Sequence, residues 1–476
     1  MDAEISQPLY IGSSQYSFTL ELESKKLRVS ENYPISLFLM LKTRLTQKRV
    51  GIDFGTTNSA IAVAGPDGSI DMARFQLNDQ LTENFRSVLY FEQIREGLRK
   101  NISALAGPEA IMRYLEAEQK GRLIQSLKSY LASRLLTSTN VLGRQYLLEE
   151  LLSFLIRSLK GKSELTLGGL GTRAVVGRPV RFSGADSKKD DDWAVSRLRA
   201  AFSNAGFDDV VFEYEPIGAA YYYEMRLDHD ELILVADFGG GTSDFSLLQV
   251  GPSFRRKTGD REIVTDGVAL AGDAFDAKIV RHLVSPLLGQ ASSYQSIDKM
   301  LPIPAWIYIK LERWHHLSFL KSKETMDVLK SLQVQSTEPD QIEALIHLVN
   351  EDLGFYLHSA VQRTKLELSA QQATTFSFQV PGISISSPVT RQQFESWIKE
   401  ELDEISHCVD GLLERTAVDK NGVDKVFLTG GSSFVPAVRR IFEERFGSDR
   451  LIVGDEFTSV AKGLALRALD LNTSAV

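Results

Sequence analysis

The sequence has little cysteine, little basic excess and no long apolar run. Cys408 is its only cysteine, which excludes an intrachain disulfide framework and fits a reducing compartment. With 54 Lys and Arg against 62 Asp and Glu, it lacks the basic surface that nucleic acid or an anionic membrane requires. The N-terminal MDAEISQPLY lacks the basic-then-apolar pattern of a signal peptide, and ISLFLML is too short to span a bilayer. These absences predict a soluble, cytoplasmic protein with neither nucleic-acid nor membrane partners.

The length and apolar content suggest several domains. At 476 residues and 43% hydrophobic, the chain is long enough for roughly two to four of them. Segments with strand-like alternation are interspersed with segments of helical periodicity, such as YLLEELLSFLIRSLKGK and DWAVSRLRAAFSNAGF. This order predicts an α/β protein.

Two widely separated stretches have the same design. VGIDFGTTNSAIAVAG begins at Val50, and VADFGGGTSDFSLLQV occupies residues 235–250. Each runs from apolar residues into Asp-Phe-Gly, then into small glycine or hydroxyl residues, then into a second strand. The repetition predicts two similar lobes, with the two carboxylate-bearing turns facing each other across a cleft. We place the lobes at residues 50–230 and 231–430.

The remaining segments complete the predicted organisation. Residues 1–49 form an N-terminal extension, in which SFTLELESKKLRVS alternates like a strand or hairpin. The second lobe carries an insertion at about residues 280–350. Residues 431–476 are expected to be C-terminal helices that return toward the first lobe. The capping pair Thr390 and Gln393 predicts the start of a helix.

The two glycine turns have the chemistry of a phosphate site. Glycine allows backbone N–H groups to approach anionic oxygens closely, and threonine hydroxyls add donors. Asp53 and Asp237 immediately precede the turns. Carboxylates repel phosphate unless a cation lies between them, so the pair implies Mg²⁺. The turn residues in question are Gly55, Thr56, Thr57 and Asn58 in the first turn, and Gly239, Gly240, Gly241 and Thr242 in the second.

Other interpretations of the glycine motifs fit less well. Either turn alone is as consistent with an ordinary tight hairpin as with a phosphate-binding turn. The Asp-Phe-Gly tripeptide is typical of protein kinases, but the chain has no His-Arg-Asp loop. GKS at residues 161–163 lacks the first glycine of a P-loop, and GLGTRA at residue 169 precedes a strand where a dinucleotide fingerprint follows one. The repeated carboxylate-bearing turn is therefore the informative signal.

Taken with EYEPIGAAYYYE, LAGDAFDAKIV, RTKLELSA and FLTGGSSFVPAVRR, these turns resemble the actin-like ATPase superfamily. Within it the sequence is similar to the ATPase domain of the DnaK-like seventy-kilodalton heat-shock chaperones. The resemblance extends over roughly residues 50–470. It implies an actin-like, ribonuclease-H-like fold with duplicated lobes, each built on a mixed sheet flanked by helices. It also implies that ATP or ADP binds with Mg²⁺ in the central cleft.

The resemblance also assigns roles. Asp53 and Asp237 would organise Mg²⁺, with Asp244 as a further metal candidate. Glu215 would position the attacking water. Lys128, in SLKSYLAS, would approach the γ-phosphate, although a solvated helix lysine is the alternative. The residues expected at the nucleotide, besides those of the two turns, are Gly272, Asp273, Gln362, Lys365, Leu366, Ser369, Gly430, Gly431, Ser432 and Phe434.

The sequence departs from the family in ways that affect the predicted function. Gln362 and Phe434 occupy positions where the family usually has Glu and Arg. The chain ends after the last ATPase helix, so we expect no peptide-binding domain, as in the truncated chaperone homologues typified by YegD. We expect a slow ATPase that opens and closes its lobes. The alternatives are a non-hydrolysing nucleotide sensor or scaffold and a sugar-type small-molecule kinase. A protein partner would bind through the 280–350 insertion or residues 1–49.

Overall fold

The structure is a computed structural model that describes residues 4–11, 14–21, 48–77, 80–96, 99–117, 121–254, 263–313, 317–453 and 459–473. In the first half of the chain, up to residue 230, the described strands and α-helices are β1 (Glu4–Ile11), β2 (Ser14–Glu21), β3 (Arg49–Phe54), β4 (Asn58–Ala64), β5 (Ile70–Met72), β6 (Phe75–Leu77), β7 (Gln80–Thr82), β8 (Phe85–Arg86), β9 (Val88–Glu96), β10 (Arg99–Ala106), α1 (Pro108–Glu116), β11 (Arg122–Gln125), β12 (Ser138–Val141), β13 (Arg144–Leu147), α2 (Leu148–Leu167), β14 (Arg173–Arg178), α3 (Lys188–Asn204), β15 (Asp209–Tyr214) and α4 (Glu215–Glu224).

In the second half, from residue 231, they are β16 (Glu231–Phe238), β17 (Ser243–Val250), β18 (Ile263–Val268), α5 (Gly272–Ile279), β19 (Ser293–Ser296), β20 (Lys299–Pro302), α6 (Ala305–Leu311), α7 (Leu317–Leu320), α8 (Lys323–Gln335), α9 (Pro339–Asn350), α10 (Gly354–Ala370), β21 (Ala373–Val380), β22 (Ile383–Thr390), α11 (Arg391–Trp397), α12 (Lys399–Thr416), β23 (Lys425–Thr429), α13 (Pro436–Phe446), β24 (Leu451–Val453) and α14 (Ser459–Thr473). Short 3₁₀ turns occupy Leu127–Tyr130, Ser285–Leu288, Lys420–Gly422, Gly431–Phe434 and Ser448–Arg450, and a π-helical turn occupies Val280–Val284.

Two mixed sheets with the same strand arrangement organise these elements. The first has the order β15-β14-β3-β4-β5, and the second has the order β24-β23-β16-β17-β18. In each, an antiparallel hairpin (β3–β4 or β16–β17) is flanked by an antiparallel strand on one side. Two parallel strands lie on the other side. The predicted mixed α/β class is therefore confirmed, and the two glycine turns occupy equivalent positions in the two sheets.

Strand β4 shows why the first sheet is buried on both faces. Ile61 and Val63 point into the core formed with α2 and α3. Ala60, Ala62 and Ala64 point to the opposite face, where α14 packs. Alternation is thus between two buried faces, one filled by branched side chains and one by small side chains. The small residues allow a helix to approach the sheet closely.

The C-terminal segment divides between the two sheets. Helix α14 packs against β3, β4 and α4 of the first half. In contrast, α13 belongs to the second sheet, where Phe442 lies 6.0 Å from Phe238, centroid to centroid. Among the described residues of 431–476, α14 packs on the first half but α13 does not, which differs from the expectation that this whole segment returns to the first lobe. The reason is that the apolar face of α13 packs on the second sheet, where Phe442 also lies 6.2 Å from Phe245 of β17.

The predicted insertion at 280–350 is not a separate unit. Ile307, Leu329 and Leu345 are buried in the same apolar cluster as the second sheet. In the β19–β20 hairpin, Tyr294 packs against this core, whereas Ile297 at the turn is 94% exposed. These facts show how the segment packs, and the expected partner surface there stays a prediction.

Of the N-terminal extension, the described part is an antiparallel hairpin of β1 and β2. Residues 22–47, which include the end of the SFTLELESKKLRVS stretch, lie outside the described residues. Thr390 caps α11, its hydroxyl accepting from Gln393 N, so this predicted helix start is confirmed. No helix among the described residues is long and apolar enough to cross a membrane.

Candidate functional site

A cavity of about 330 Å³ lies between the two sheets and is lined by both glycine turns. Every residue proposed above for the metal, the chemistry or the nucleotide lines it, except Ser369 and Phe434. Those lining it are Asp53, Gly55, Thr56, Thr57, Asn58, Lys128, Glu215, Asp237, Gly239, Gly240, Gly241, Thr242, Asp244, Gly272, Asp273, Gln362, Lys365, Leu366, Gly430, Gly431 and Ser432.

The first turn is held tightly by its own backbone and by Ser87. A Cβ at Gly55 would lie 2.2 Å from the carbonyl oxygen of Asn58, so the turn requires glycine there. The Ser87 hydroxyl donates to the Gly55 carbonyl at 2.8 Å, and Ser87 N donates to the Thr57 carbonyl at 2.9 Å. These bonds leave the turn preorganised before any ligand binds.

The second turn meets the first across the cavity. Gly239 N donates to the Thr242 carbonyl at 2.9 Å, and Asp273 N donates to the Gly240 carbonyl at 2.8 Å. A Cβ at Gly240 would lie 2.9 Å from Thr57 Oγ1. Because any side chain at this point would press on the opposing turn, glycine allows the two halves to approach each other here.

Three buried carboxyl groups are gathered beside the turns. Burial, reinforced by the charge of Glu215, raises the pKa of Asp53 to about 8. Burial and Glu215 also raise the pKa of Asp237 to about 6, although Thr429 Oγ1 donates to its carboxylate at 2.7 Å. The pKa of Asp244 is raised to about 7 by burial and by Asp237. Acids held in this way carry unbalanced charge when ionised, and a cation would relieve it.

This donor set fits Mg²⁺. The ion prefers hard oxygen ligands and is usually held by one or two carboxylates, with waters and phosphate oxygens completing the shell. Among the described residues, no three His, Cys, Asp or Glu side chains form a metal cage by themselves. Asp53 and Asp237 both line the cavity and are carboxylates that could take this role.

Lys128 and Glu215 form a buried ion pair at the cavity. Lys128 Nζ lies 2.6 Å from Glu215 Oε1, and Lys128 is 8% exposed. The lysine is on the 3₁₀ turn Leu127–Tyr130, which follows Ser126 in a left-handed conformation with φ of 56°. Glu215 is the first residue of α4, just before Pro216. The alternative of a solvated helix lysine is therefore wrong.

The other end of the cavity combines α10 with the turn after β23. Lys365 Nζ lies 2.7 Å from Asp276 Oδ1. Gly430 has φ of 81°, and a Cβ there would lie 2.1 Å from the Phe238 carbonyl oxygen, so only glycine fits. The turn Gly431–Phe434 separates this glycine from α13, so the helix N-terminus follows it by several residues.

Two proposed nucleotide contacts are not among the described lining. The Ser369 hydroxyl donates to the Lys365 carbonyl within α10 at 2.8 Å, which turns it along the helix. Phe434 is 38% exposed at the end of its 3₁₀ turn. Helical spacing predicts that Lys365 and Ser369 lie on one face of a helix, and both are in α10. Of the two, Lys365 lines the cavity and Ser369 does not.

The cavity also contains residues that the sequence interpretation missed. Arg86 lies opposite Asn58 in the β4–β8 pairing, and its Nη1 donates to Asn58 Oδ1 at 3.4 Å. Asp276, three residues after Asp273 on α5, could have been found from helical spacing. Nothing in the local pattern marks the others, which are Ser129, Pro179, Arg181, Phe182, Ser183, Phe238 and Val460.

A second cavity, of about 590 Å³, is larger and has different chemistry. It lies between residues 114–151 of the first half and residues 317–355 of the second, and its lining includes Leu127, Leu148, Leu317 and Phe355. None of the residues proposed from the sequence lines it. Size alone would favour this cavity, but the cluster of carboxyl groups with Lys128 and both glycine turns are in the smaller one.

Comparison with known proteins finds related sequences. A sequence model of the Hsp70 protein family matches residues 117–300 and 349–474. The chain is 24% identical over 429 residues to "Chaperone protein DnaK" of Thermosipho melanesiensis, covering 88% of this chain and 58% of the relative. It is 26% identical over 453 residues to "Chaperone protein dnaK1" of Synechocystis sp., covering 88% of this chain and 54% of the relative.

These matches differ in extent. The family match begins after the first glycine turn and omits residues 301–348, where α6 to α9 lie. The chain spans less than two thirds of the length of the DnaK relatives. Even so, the matched segments make up well over half of the chain and contain Lys128, Glu215 and Asp237. The chain belongs to the Hsp70 family.

Proposed function

We propose that the protein is a chaperone-like ATPase that binds Mg-ATP in the cavity between the two sheets and hydrolyses it slowly with water. The observation that carries the proposal is the pairing of buried Lys128 with Glu215 between two facing glycine turns. A cation and a carboxylate in that position have the complementary properties that phosphoryl transfer to water requires.

The residues divide into roles by their chemistry. Asp53 and Asp237 would hold Mg²⁺ and its waters, with Asp244 beside them. When bound, the ion supplies charge neutralisation at the phosphate oxygens. The backbone amides of residues 55–58 and 239–242 would cradle the phosphates. Glu215 orients the attacking water, and Lys128 offsets the negative charge that develops on the transferred group.

The remaining lining residues would hold the rest of the nucleotide. Lys365 and Gln362 project from α10, while Gly430 and Ser432 bring the turn after β23 close to them. Residues 50–230 and 231–430 would act as lobes whose closing around the nucleotide is the output.

Phosphate release from Mg-ATP under single-turnover conditions, without a second substrate, tests this proposal. We expect release by the wild type and a rate at least tenfold lower for Lys128→Ala, about 1.4 kcal/mol in barrier height. Lys162→Ala is the matched control, since this exposed lysine pairs with Glu109 on the surface. Its rate should equal that of the wild type.

Other outcomes would support the alternative functions. Nucleotide that binds but is not cleaved would identify a sensor or scaffold. Cleavage that appears only when a hydroxyl-bearing small molecule is added would identify a kinase. Equal rates for Lys128→Ala and the wild type would remove Lys128 from the chemistry.

A further inference from the structure

Arg197 is a buried arginine that does not line the cavity and has no part in the chemistry proposed above. It lies on α3, is 3% exposed, and is surrounded by the segment that follows Lys128. Its Nε donates to Glu149 Oε1 at 2.5 Å. Glu149 is in the first turn of α2, so this pair joins two helices of the first half.

The rest of the guanidinium is used on backbone carbonyl groups. Nη1 lies within 3.4 Å of the carbonyl oxygens of Tyr130, Leu131 and Ser133. Nη2 donates to the carbonyl of Leu136 at 3.1 Å. The Tyr130 carbonyl ends the 3₁₀ turn Leu127–Tyr130, and the other three belong to the loop between that turn and β12. A single side chain therefore hydrogen-bonds to backbone carbonyl groups along most of this loop.

This loop determines where Lys128 lies. The Lys128 carbonyl accepts from Leu131 N at 3.2 Å, so the backbone that Arg197 holds is bonded directly to the lysine. Leu127 and Leu131, which flank the lysine, are 4% and 0% exposed. The apolar anchors fix the depth of the turn, while the arginine fixes the path of the chain that leaves it. The loop has no sheet or helix ladder of its own to do so.

We propose that Arg197 is a positioning residue for the reaction: it holds the 130–136 loop so that Lys128 is directed into the cavity beside Glu215. The planar fork of arginine can serve several acceptors in fixed directions, which a lysine ammonium cannot do. The inference rests on the proposed function for its kinetic consequence. Its structural part, the placement of the lysine amine, stands by itself.

A double-mutant cycle tests the kinetic consequence. Arg197→Met alone should lower the single-turnover rate at least about tenfold, since small misplacements of a reacting group have large effects. In the Lys128→Ala background the same change should lower the rate less than about twofold, because the group being positioned is gone. Affinity for Mg-ADP should stay within about twofold in each case. Equal effects in both backgrounds would show that Arg197 does not act through Lys128.

Matched variants separate positioning from loss of folding. Arg197→Met leaves Glu149 without its partner, so Arg197→Met/Glu149→Gln removes both charges together. Arg197→Lys keeps the charge and should restore part of the rate. Arg199→Met is the control on the same helix: Arg199 donates to the Val210 carbonyl at 2.6 Å, away from the loop. It should leave the rate unchanged.

A measurement without ATP tests the placement itself. Lys128 can be acetylated with an amine-reactive reagent, and the extent of its acetylation can be followed by peptide mass spectrometry. The acetylation should be slow in the wild type and at least about fivefold faster in the Arg197 variants. Unchanged protection of Lys128 would overturn the positioning role. If the wild type releases no phosphate but the labelling changes as expected, the proposed function fails and the positioning role stands.

Discussion

Asp53 illustrates, at the scale of the residue, why the site demands a cation. Its carboxyl group is buried near Glu215 and Asp237, and its pKa is raised from 3.8 to about 8. Lys128 acts in the opposite direction but is paired with Glu215. A carboxylate placed in this way is unfavourable in the metal-free protein and becomes useful when a divalent ion is bound.

The raised pKa gives a prediction about the effect of pH on stability. Between about pH 4 and pH 8 the folded state holds a proton on Asp53 that the unfolded state has lost, so the contribution of this group to stability falls as pH rises. Asp53→Asn does not titrate. The free energy of unfolding of the variant minus that of the metal-free wild type should therefore increase as the pH rises across this window. Urea titrations at several pH values measure it.

The same variant has an internal control. Saturating Mg-ADP should stabilise the wild type and have a much smaller effect on Asp53→Asn, because the proposed metal site has lost a ligand. A difference in stability that does not change with pH, or equal stabilisation by Mg-ADP, would contradict the assignment.

At the scale of the element, the contact between α14 and α4 depends on glycine. A Cβ at Gly463 would lie 1.7 Å from the Gly218 carbonyl oxygen. The backbone of Gly51 on β3 also lies close to α14, since a Cβ at Gly51 would lie 2.2 Å from Ala465 N. Helix α14 therefore contacts both α4 and the first sheet through backbone atoms. It connects the helix that begins with Glu215 to the strand that carries Asp53.

Gly463→Ala should destabilise the protein by about 1–3 kcal/mol, because the backbone of α14 must move to admit the methyl group. Gly411→Ala in α12 is the matched control: a Cβ there has open space, so alanine should be neutral or stabilising by about 0.5–1 kcal/mol. Urea unfolding of both variants gives the comparison. Equal effects would show that α14 is not held by close backbone contact.

At the scale of the whole molecule, the two halves also touch away from the glycine turns. The Tyr114 hydroxyl donates to the Asp352 carbonyl, and the Tyr114 and Phe355 rings are 6.1 Å apart in an edge-on arrangement. Lys321 Nζ lies 2.6 Å from Asp352 Oδ2, and this ion pair helps to hold Asp352, whose carbonyl accepts from Tyr114. These contacts border the larger cavity and connect α1 with the segment before α10.

Tyr114→Phe should speed nucleotide release. Loss of one hydrogen bond between the halves is worth about 0.5–1.5 kcal/mol, or roughly a two- to tenfold faster dissociation of a fluorescent ADP analogue. Tyr308→Phe is the control, since its hydroxyl donates to the Leu288 carbonyl at 2.9 Å within the second half. Release that is unchanged in Tyr114→Phe would show that this contact does not restrain opening.

The sequence by itself determined the two hairpins, their glycine turns and the placement of Asp53 and Asp237. These features follow from local rules: strand alternation, the backbone freedom of glycine and the repeat of one motif. It also sufficed for the mixed α/β class, because equivalent patterns recur in the two halves. For the same reason, most of the residues proposed for the site line one cavity.

Only the tertiary structure decided the features that depend on long-range contacts. Lys128 is buried against Glu215, and the loop after it is hydrogen-bonded to Arg197, which lies more than sixty residues away in the chain. Arg86 reaches the cavity by strand pairing with Asn58. Ser369 is in the right helix but bonds along it. A pattern in sequence defines which residues share a face, whereas the neighbours that cover that face are set by the packing of distant elements.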